Sequence, residues 1–141
     1  SFTEYIDNYD DGKQDAITHH NTDISFSPAV IANGSLVFLP VKNLSLNLMA
    51  KYVGSQFLDN TQNDERKLAA YFTQDMRVGY SLQHVIFRET TIILHVNNIW
   101  NNLYEPNGYT YPYIYDGSLV NDNYYYPMAG TNFMIALNIK L

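Results

Sequence analysis

Residues 132–141 read NFMIALNIKL, and this stretch decides the fold. Apolar side chains stand at every second position: Phe133, Ile135, Leu137, Ile139 and Leu141. A period of two residues predicts a β-strand with one apolar face. An alternating strand of about ten residues is the repeating unit of a transmembrane β-barrel. A soluble sheet with one buried face shows the same alternation, so this segment alone leaves both interpretations open.

The composition excludes several classes of protein. The 141 residues carry a net charge of −6 and contain eight Lys and Arg in all, so there is no basic stripe for nucleic acid. The lack of cysteine excludes disulfides and thiolate metal sites. No apolar run approaches the roughly 20 residues of a transmembrane helix. Low charge with 13 tyrosines is typical of a membrane barrel with aromatic girdles and of a soluble sugar-binding module.

Alternating segments predict an all-β fold arranged as an antiparallel up-and-down meander. The predicted strands are about 24–39, 44–57, 70–83, 90–98 and 129–141. Residues 1–21 are expected to be an acidic extracellular loop or a strand remnant, and residues 22–141 a barrel segment. The connections alternate between short, at 40–43 and 84–89, and long, at 58–69 and 99–128. Outer-membrane barrels have short periplasmic turns and longer extracellular loops in this way.

Charges and aromatic residues follow the same pattern. The charges inside the clearest strands all lie on the parity opposite to the apolar one: Lys51, Asp75, Arg77 and Lys140. A Lys or Arg facing lipid near the midplane costs roughly 2–4 kcal/mol, and this placement avoids that cost. The aromatic residues beside the long connections would form one interfacial girdle: Phe57, Tyr71, Phe72, Trp100 and Tyr104.

Four segments resemble the C-terminal part of TonB-dependent outer-membrane receptors of the Bacteroidetes type. They are KYVGSQFLDNT at 51–61, VNNIWNNLYE at 96–105, NGYTY at 107–111 and YYYPMAGTNF at 124–133. Their order and spacing agree with that family over residues 24–141. One position departs from the pattern, because such receptors usually end in Phe where this chain has Leu141. That difference bears on recognition by the barrel-assembly machinery.

The resemblance implies a transmembrane β-barrel of about 22 strands with a plugged lumen, of which this chain supplies about the last five. It implies energy-coupled uptake of a scarce ligand, such as a ferric siderophore, haem, cobalamin or a glycan. The implied partners are outer-membrane lipid, a plug domain, and TonB acting through an N-terminal part upstream of this chain. The implied location is the outer membrane of a Gram-negative bacterium. The apolar row from Phe133 to Leu141 would then face lipid, and Asn132, Asn138 and Lys140 the lumen.

The tyrosines of segment 99–128 are the best candidates for contact with a ligand, because Tyr offers rigid amphipathic area at low entropic cost. The predicted ligand-binding residues are Tyr109, Tyr111, Tyr113, Tyr124 and Tyr125. The alternative that involves no ligand is a hairpin that packs on its own aromatic rings. No catalytic motif, metal site or cofactor is predicted, so an enzyme is not expected. Two other functions stay open: a soluble glycan-binding or adhesion module, and a passive porin-like barrel.

Overall fold

The computed structural model describes residues 1–83 and 88–141, and within them the chain is all-β without a helix, as predicted. No described segment is a helix long and apolar enough to cross a membrane. The predicted short connection 84–89 falls mostly on residues 84–87, which lie outside the described residues. The strands are β1 Phe2–Asn8, β2 Lys13–His19, β3 Ile31–Val41, β4 Leu44–Val53, β5 Gln56–Phe57, β6 Lys67–Leu68, β7 Tyr71–Gln83, β8 Glu89–Asn97, β9 Asn107–Tyr115, β10 Ser118–Tyr126 and β11 Asn132–Lys140.

The chain divides into two compact units. Unit 1 consists of Ser1–Val30, Gly54–Tyr71 and Tyr104–Met128. Unit 2 consists of Ile31–Val53, Phe72–Leu103 and Ala129–Leu141. Each unit therefore gathers segments that are distant in sequence, and each has its own main sheet.

Unit 2 is a five-stranded antiparallel sheet in the order β11-β8-β7-β4-β3. When the strands of unit 1 are left out, each strand of this sheet pairs with the strand before or after it in the sequence. The sheet is therefore an up-and-down meander. The β3–β4 hairpin turns at Asn43, whose φ of 69° suits an asparagine. A bulge between Phe38 and Val41 shifts the register of the β3–β4 pair.

The long connections leave the five-stranded sheet at one end and the short ones at the other. Ile31 pairs with Val53, and Asn97 pairs with Asn132, at the end from which the connections through unit 1 depart. At the opposite end the backbone N–H of Ser81 donates to the carbonyl oxygen of Asn43 over 2.9 Å, next to the β3–β4 turn. This alternation is the one that the sequence predicts from loop lengths.

Unit 1 contains a four-stranded sheet in the order β10-β9-β1-β2 and the small pair β5-β6. The β1–β2 and β9–β10 pairs are antiparallel hairpins, and β1 joins β9 in parallel through Asp7 and Asn8. The β9–β10 turn uses Asp116 and Gly117, both with positive φ. The carboxylate of Asp10 accepts the backbone N–H groups of these two residues at 2.9 and 2.8 Å, which ties the two hairpins together.

The structure differs from the sequence prediction at several elements, and the strand predicted over 44–57 is interrupted at residues 54–55, between β4 and β5. The predicted loop 99–128 contains the β9–β10 hairpin, and the predicted loop or remnant 1–21 contains the β1–β2 hairpin. The predicted loop 58–69 includes β6. The strand predicted over 24–39 begins later, at Ile31, because Phe26 has a φ of 54° and Pro28 follows it.

The Asn-rich segment after β8 is a hydrogen-bonded junction between three strands. Asn98 is buried, and its backbone N–H donates to Asp75 of β7 over 2.8 Å. Its side-chain amide donates to the carbonyls of Asn102 and Ala129, at 2.9 and 3.3 Å. The side-chain oxygen of Asn101 accepts the N–H of Thr131 at 3.0 Å, just before β11. The VNNIWNN and AGTN segments of the sequence thus fix the start of the last strand.

Candidate functional site

One face of the five-stranded sheet is apolar from edge to edge. The register sets three rows across β7, β8 and β11: Met76 with Val96 and Phe133, Val78 with Leu94 and Ile135, and Tyr80 with Ile92 and Leu137. The β3–β4 pair continues this face with two more pairs, Leu36 with Leu48 and Phe38 with Leu46. Successive side chains of a strand point to opposite faces, so these rows form one surface, which we call the apolar face.

The charges of the same sheet lie on the other side, which we call the polar face. Its charged residues are Lys51, Asp75, Arg77, Glu89 and Lys140. Strands β4 and β7 are joined there by Ser45, whose hydroxyl donates to the carbonyl oxygen of Gly79 over 3.3 Å. The strands of this sheet therefore hold no Asp, Glu, Lys or Arg on the apolar face within the described residues.

Burial in the three inner strands of this sheet, β4, β7 and β8, is the reverse of what a water-soluble sheet requires. Its buried side chains are on the polar face: Val53, Thr73 and Ile93. No described strand residue of the apolar face is buried, and Phe133, Ile135 and Leu137 are 75%, 68% and 57% exposed. Leu141 and Ile139 are exposed as well. The apolar residues singled out in the sequence are thus at the surface of the protein.

Two polar atoms on the polar face are buried without a hydrogen-bond partner. They are the side-chain oxygen of Asn47 on β4 and Nε2 of His95 on β8. An unsatisfied buried polar atom costs about 1–3 kcal/mol, so such atoms usually meet water or another polar group. Water or another polar group can therefore form hydrogen bonds with the polar face.

A second candidate surface lies on the four-stranded sheet of unit 1. In β9 and β10, Tyr109 pairs with Tyr124, and Tyr111 with Asp122, so their side chains share a face. Tyr113 and Asp7 are partners in the β1–β9 pair and lie on that face as well. We call this surface the tyrosine face, formed by Asp7, Tyr9, Tyr109, Tyr111, Tyr113, Asp122, Tyr124 and Tyr126.

The tyrosine face brings together four of the five predicted ligand-binding tyrosines. Tyr125 is the exception, because it pairs with Gly108 and points to the opposite face of the sheet. The rings of Tyr109 and Tyr124 stack with centroids 4.8 Å apart, and those of Tyr9 and Tyr113 are 5.4 Å apart. The hairpin packs on its own rings, yet most of these rings stay substantially exposed.

A chain of hydrogen bonds runs through the centre of the tyrosine face. The hydroxyl of Tyr111 donates to Asp7 over 2.6 Å and lies 3.3 Å from the hydroxyl of Tyr9. The bond from Tyr111, and then the one from Gln14 at 2.8 Å, hold the pKa of Asp7 below its usual value. The same bond to Asp7 raises the pKa of Tyr111. Asp7 is therefore a carboxylate and Tyr111 a hydroxyl at neutral pH.

Tyr113 is held in its protonated form by a related effect. Loss of contact with water raises the pKa of its phenol first, and the negative charge of Asp122 raises it further. No Lys or Arg lies on this face of the four strands, all of which the structure describes. The tyrosine face consequently combines aromatic rings and hydroxyl donors with two carboxylates.

The opposite face of the four-stranded sheet covers a buried arginine, which the sequence interpretation missed. Arg66 is 1% exposed, and its guanidinium binds the carboxylate of Glu4 on β1. It also binds Asp59 at 2.8 Å and the side-chain oxygen of Asn121 on β10 at 2.6 Å. His19 completes the group, with Nε2 3.2 Å from Glu4. Arg66 thereby joins β1, β10 and the segment after β5.

The signal for Arg66 in the sequence is weak. It is one basic residue in a polar run, and its partners Glu4 and Asn121 are 62 and 55 positions away. Ion pairs between such distant residues leave no local pattern, because only the fold brings them together. A cluster of this kind holds strands and loops in position, because its charged groups bind one another instead of a ligand.

Unit 1 also contains an open cleft of about 720 Å³ beside the β5–β6 pair. Phe57 lies on its wall with Lys67, whose ammonium is 4.9 Å from the ring centroid and 3.2 Å from Asp64. Asp23 accepts from Gln62 at 3.4 Å. Polar groups of the cleft thus bind one another, and its size would admit a small polar molecule.

Histidines and carboxylates of the described residues do not assemble into a metal site. Across residues 1–83 and 88–141, no three His, Asp or Glu side chains converge to hold a metal ion. His19 is engaged with Glu4, and Asp10 caps the β9–β10 turn.

No family model and no curated protein sequence matches this chain. The functional interpretation therefore depends on the residues and their arrangement.

Proposed function

We propose that the five-stranded sheet is part of the wall of a transmembrane β-barrel in a Gram-negative outer membrane. Its apolar face contacts lipid and its polar face lines the lumen. The inverted burial of this sheet carries the proposal, since a water-soluble sheet buries its apolar side. Five strands of about 30 Å give a face of about 700 Å². The largest apolar patch on a typical soluble monomer is roughly 300–600 Å².

The length of the strands and the alternation of short and long connections support the same assignment. The strands of the sheet have 9 to 13 residues, and about 9–11 residues cross a bilayer at a tilt near 45°. The connections are short at one end of the sheet and long at the other. Trp100 is exposed and donates its ring N–H to Gln74 at the end with the long connections, as an interfacial anchor does.

The whole protein, in this proposal, is a TonB-dependent transporter of which this chain forms the last strands of a barrel of about 22. The resemblance of four sequence segments to that family supports it. The hydrogen bonds of Asn98 give those segments a structural role, because they align β7, β8 and β11. The unpartnered atoms of Asn47 and His95 suit a polar face that meets water or a plug domain. The transported ligand is a scarce molecule such as a ferric siderophore, haem, cobalamin or a glycan.

The assignment can be tested by fractionating cells that produce the protein to which this chain belongs. We expect the protein in the outer membrane, with a mobility in electrophoresis that changes on heating, as for folded barrels. Removal of residues 132–141 should abolish this membrane form, because β8 then loses its partner strand β11. A protein that remains in the soluble fraction with its fold intact would contradict the proposal.

Energy coupling separates a transporter from a passive porin-like barrel. Uptake through a TonB-dependent transporter should stop when the proton gradient across the inner membrane is collapsed. A passive barrel should continue to admit small solutes under the same conditions and should conduct ions in a planar bilayer. Continued uptake would therefore replace the transporter assignment with the porin assignment.

A further inference from the structure

We propose that the tyrosine face is a binding site for a neutral oligosaccharide. This goes beyond the membrane role of unit 2 and does not depend on it, because every residue involved belongs to unit 1. The face is open, since it is one side of a four-stranded sheet and most of its tyrosine rings are exposed. From Tyr109 to Tyr113 it extends about 13 Å along β9. An extended chain of sugar rings fits such a surface better than a compact ligand does.

The chemistry of the face matches the chemistry of a sugar ring. A pyranose has C–H groups on its faces and hydroxyls around its edge, so it needs apolar area and hydrogen-bond partners alternately. An aromatic ring with a phenolic hydroxyl supplies both. The rings of Tyr109, Tyr124 and Tyr126 form one cluster on the face, and those of Tyr9, Tyr111 and Tyr113 a second.

The two carboxylates of the face are suited to sugar hydroxyls. Asp7 already accepts from Tyr111 and Gln14, so it is fixed in orientation. Asp122 lies directly across from Tyr111, in the neighbouring strand. Hydrogen bonds from hydroxyls to an ionised acceptor are roughly twice as strong as those between neutral groups. Carboxylates beside aromatic rings can therefore accept hydrogen bonds from sugar hydroxyls.

Charge selects a neutral sugar over an acidic one. The four strands carry no Lys or Arg on this face, while Asp7 and Asp122 are negative. Sulfated or uronic-acid polymers would meet repulsion without a compensating cation. Nucleic acids and phosphorylated ligands are disfavoured for the same reason.

A protein partner fits the face less well. The cores of protein interfaces are enriched in Trp, Phe, Met and Arg as well as Tyr, and the tyrosine face has none of those four. Its aliphatic content is also small, with Val120 the main contribution from β10. The high proportion of hydroxyl groups to apolar area favours a ligand that is itself rich in hydroxyls.

Adjacent tyrosines of β10 provide a matched test. Tyr124 lies on the tyrosine face and Tyr125 on the opposite one, and they are 49% and 41% exposed. The protein to which this chain belongs would be titrated in detergent micelles with maltohexaose, cellohexaose, xylohexaose and mannohexaose, and with a heparin hexasaccharide as the anionic probe. We expect at least one neutral hexasaccharide to bind. Tyr124→Ala should weaken that binding about tenfold, and Tyr125→Ala less than about twofold.

A second variant covers the case in which Tyr124→Ala disturbs the hairpin, which amide hydrogen exchange of β9 and β10 would reveal. Asp122→Asn keeps every ring and removes one charged acceptor, so it should weaken binding by about tenfold or more. The proposal is overturned if no neutral hexasaccharide binds, if the heparin fragment binds as well as they do, or if Tyr124→Ala and Tyr125→Ala have equal effects in a folded hairpin. None of these outcomes would affect the fractionation test of the membrane sheet.

Discussion

A lysine placed on either side of β11 distinguishes a lipid-facing strand from a water-exposed one. Ile135 and Met134 are adjacent, lie on opposite faces, and are 68% and 58% exposed. In water, substitutions at such exposed positions change stability by about 0.5 kcal/mol or less. Ile135→Lys and Met134→Lys should then be nearly equivalent. In a bilayer they should differ sharply, because only Ile135 is on the apolar face.

The size of the difference follows from the position of Ile135 in the strand. It is one residue from Ala136, the centre of β11. One residue advances about 3.3 Å along the strand, so at a tilt near 45° Ile135 is about 2 Å from the midplane. Lysine on the lipid face at that depth costs about 2–4 kcal/mol. That cost lowers the folding equilibrium constant by about 30-fold to 700-fold.

The assay is equilibrium unfolding in guanidinium of the protein to which this chain belongs, folded into phospholipid vesicles. Its tryptophan fluorescence reports on the transition. We expect Ile135→Lys to lose about 2–4 kcal/mol and Met134→Lys to stay within about 0.5 kcal/mol of the wild type. Equal losses in the two variants, or a greater loss at Met134, would refute the assignment of the two faces.

Three further predictions concern residues within the individual units. Arg66→Met should destabilise unit 1 by about 3–5 kcal/mol, measured by amide hydrogen exchange, because it leaves buried carboxylates unpaired. Tyr111→Phe should raise the pKa of Asp7 toward its ordinary value in an NMR titration. Since the folded-state pKa of Asp7 is lowered, its contribution to stability is present above the unfolded value, is lost as pH falls through the folded value, and should shrink in this variant. Gly79→Ala should cost about 1–3 kcal/mol in guanidinium unfolding, because its Cβ would be 2.8 Å from the hydroxyl oxygen of Ser45. Ser45→Ala should relieve most of that cost in the double variant, and additive losses would show that the two positions do not interact.

The all-β fold and the two faces of β11 could be predicted from the sequence because alternation is a local property. The apolar side chains from Phe133 to Leu141 repeat every two residues regardless of what surrounds them. The same alternation is present at Tyr109, Tyr111 and Tyr113, yet the richness of 99–128 in Tyr, Asn and Gly predicts a loop there. Gly108 and Pro112 within the run are also residues that disfavour the interior of a strand.

The structure shows why Gly108 is tolerated. Gly108 lies so close to the neighbouring strand that a Cβ there would be 2.5 Å from the carbonyl oxygen of Tyr124. A glycine is therefore needed for this hairpin to close, which is one of the recognised reasons for glycine within a strand. The side on which Tyr125 points also depends on pairing across the hairpin, since three consecutive tyrosines have no visible alternation.

The arrangement of unit 1 could not be predicted, because it depends on contacts between distant parts of the chain. The sequence shows Glu4 and Arg66 in separate polar segments, and each is ordinary in its own surroundings. Only the parallel pairing of β1 with β9 brings Asp7 to Tyr111. Such pairings have no sequence signal comparable to alternation.

A cysteine scan of β11 in phospholipid vesicles tests the central claim most directly. Single-cysteine variants at positions 132–141 would be made in the protein to which this chain belongs, and residues 1–141 add no thiol background because they contain no cysteine. A fluorophore at the odd positions should be quenched by lipid-borne quenchers, and the even positions should react with a water-soluble thiol reagent. The account predicts this alternation with a period of two residues, with Ile135 and Leu137 on the quenched side. Uniform reactivity along the strand, or alternation in the opposite phase, would contradict it.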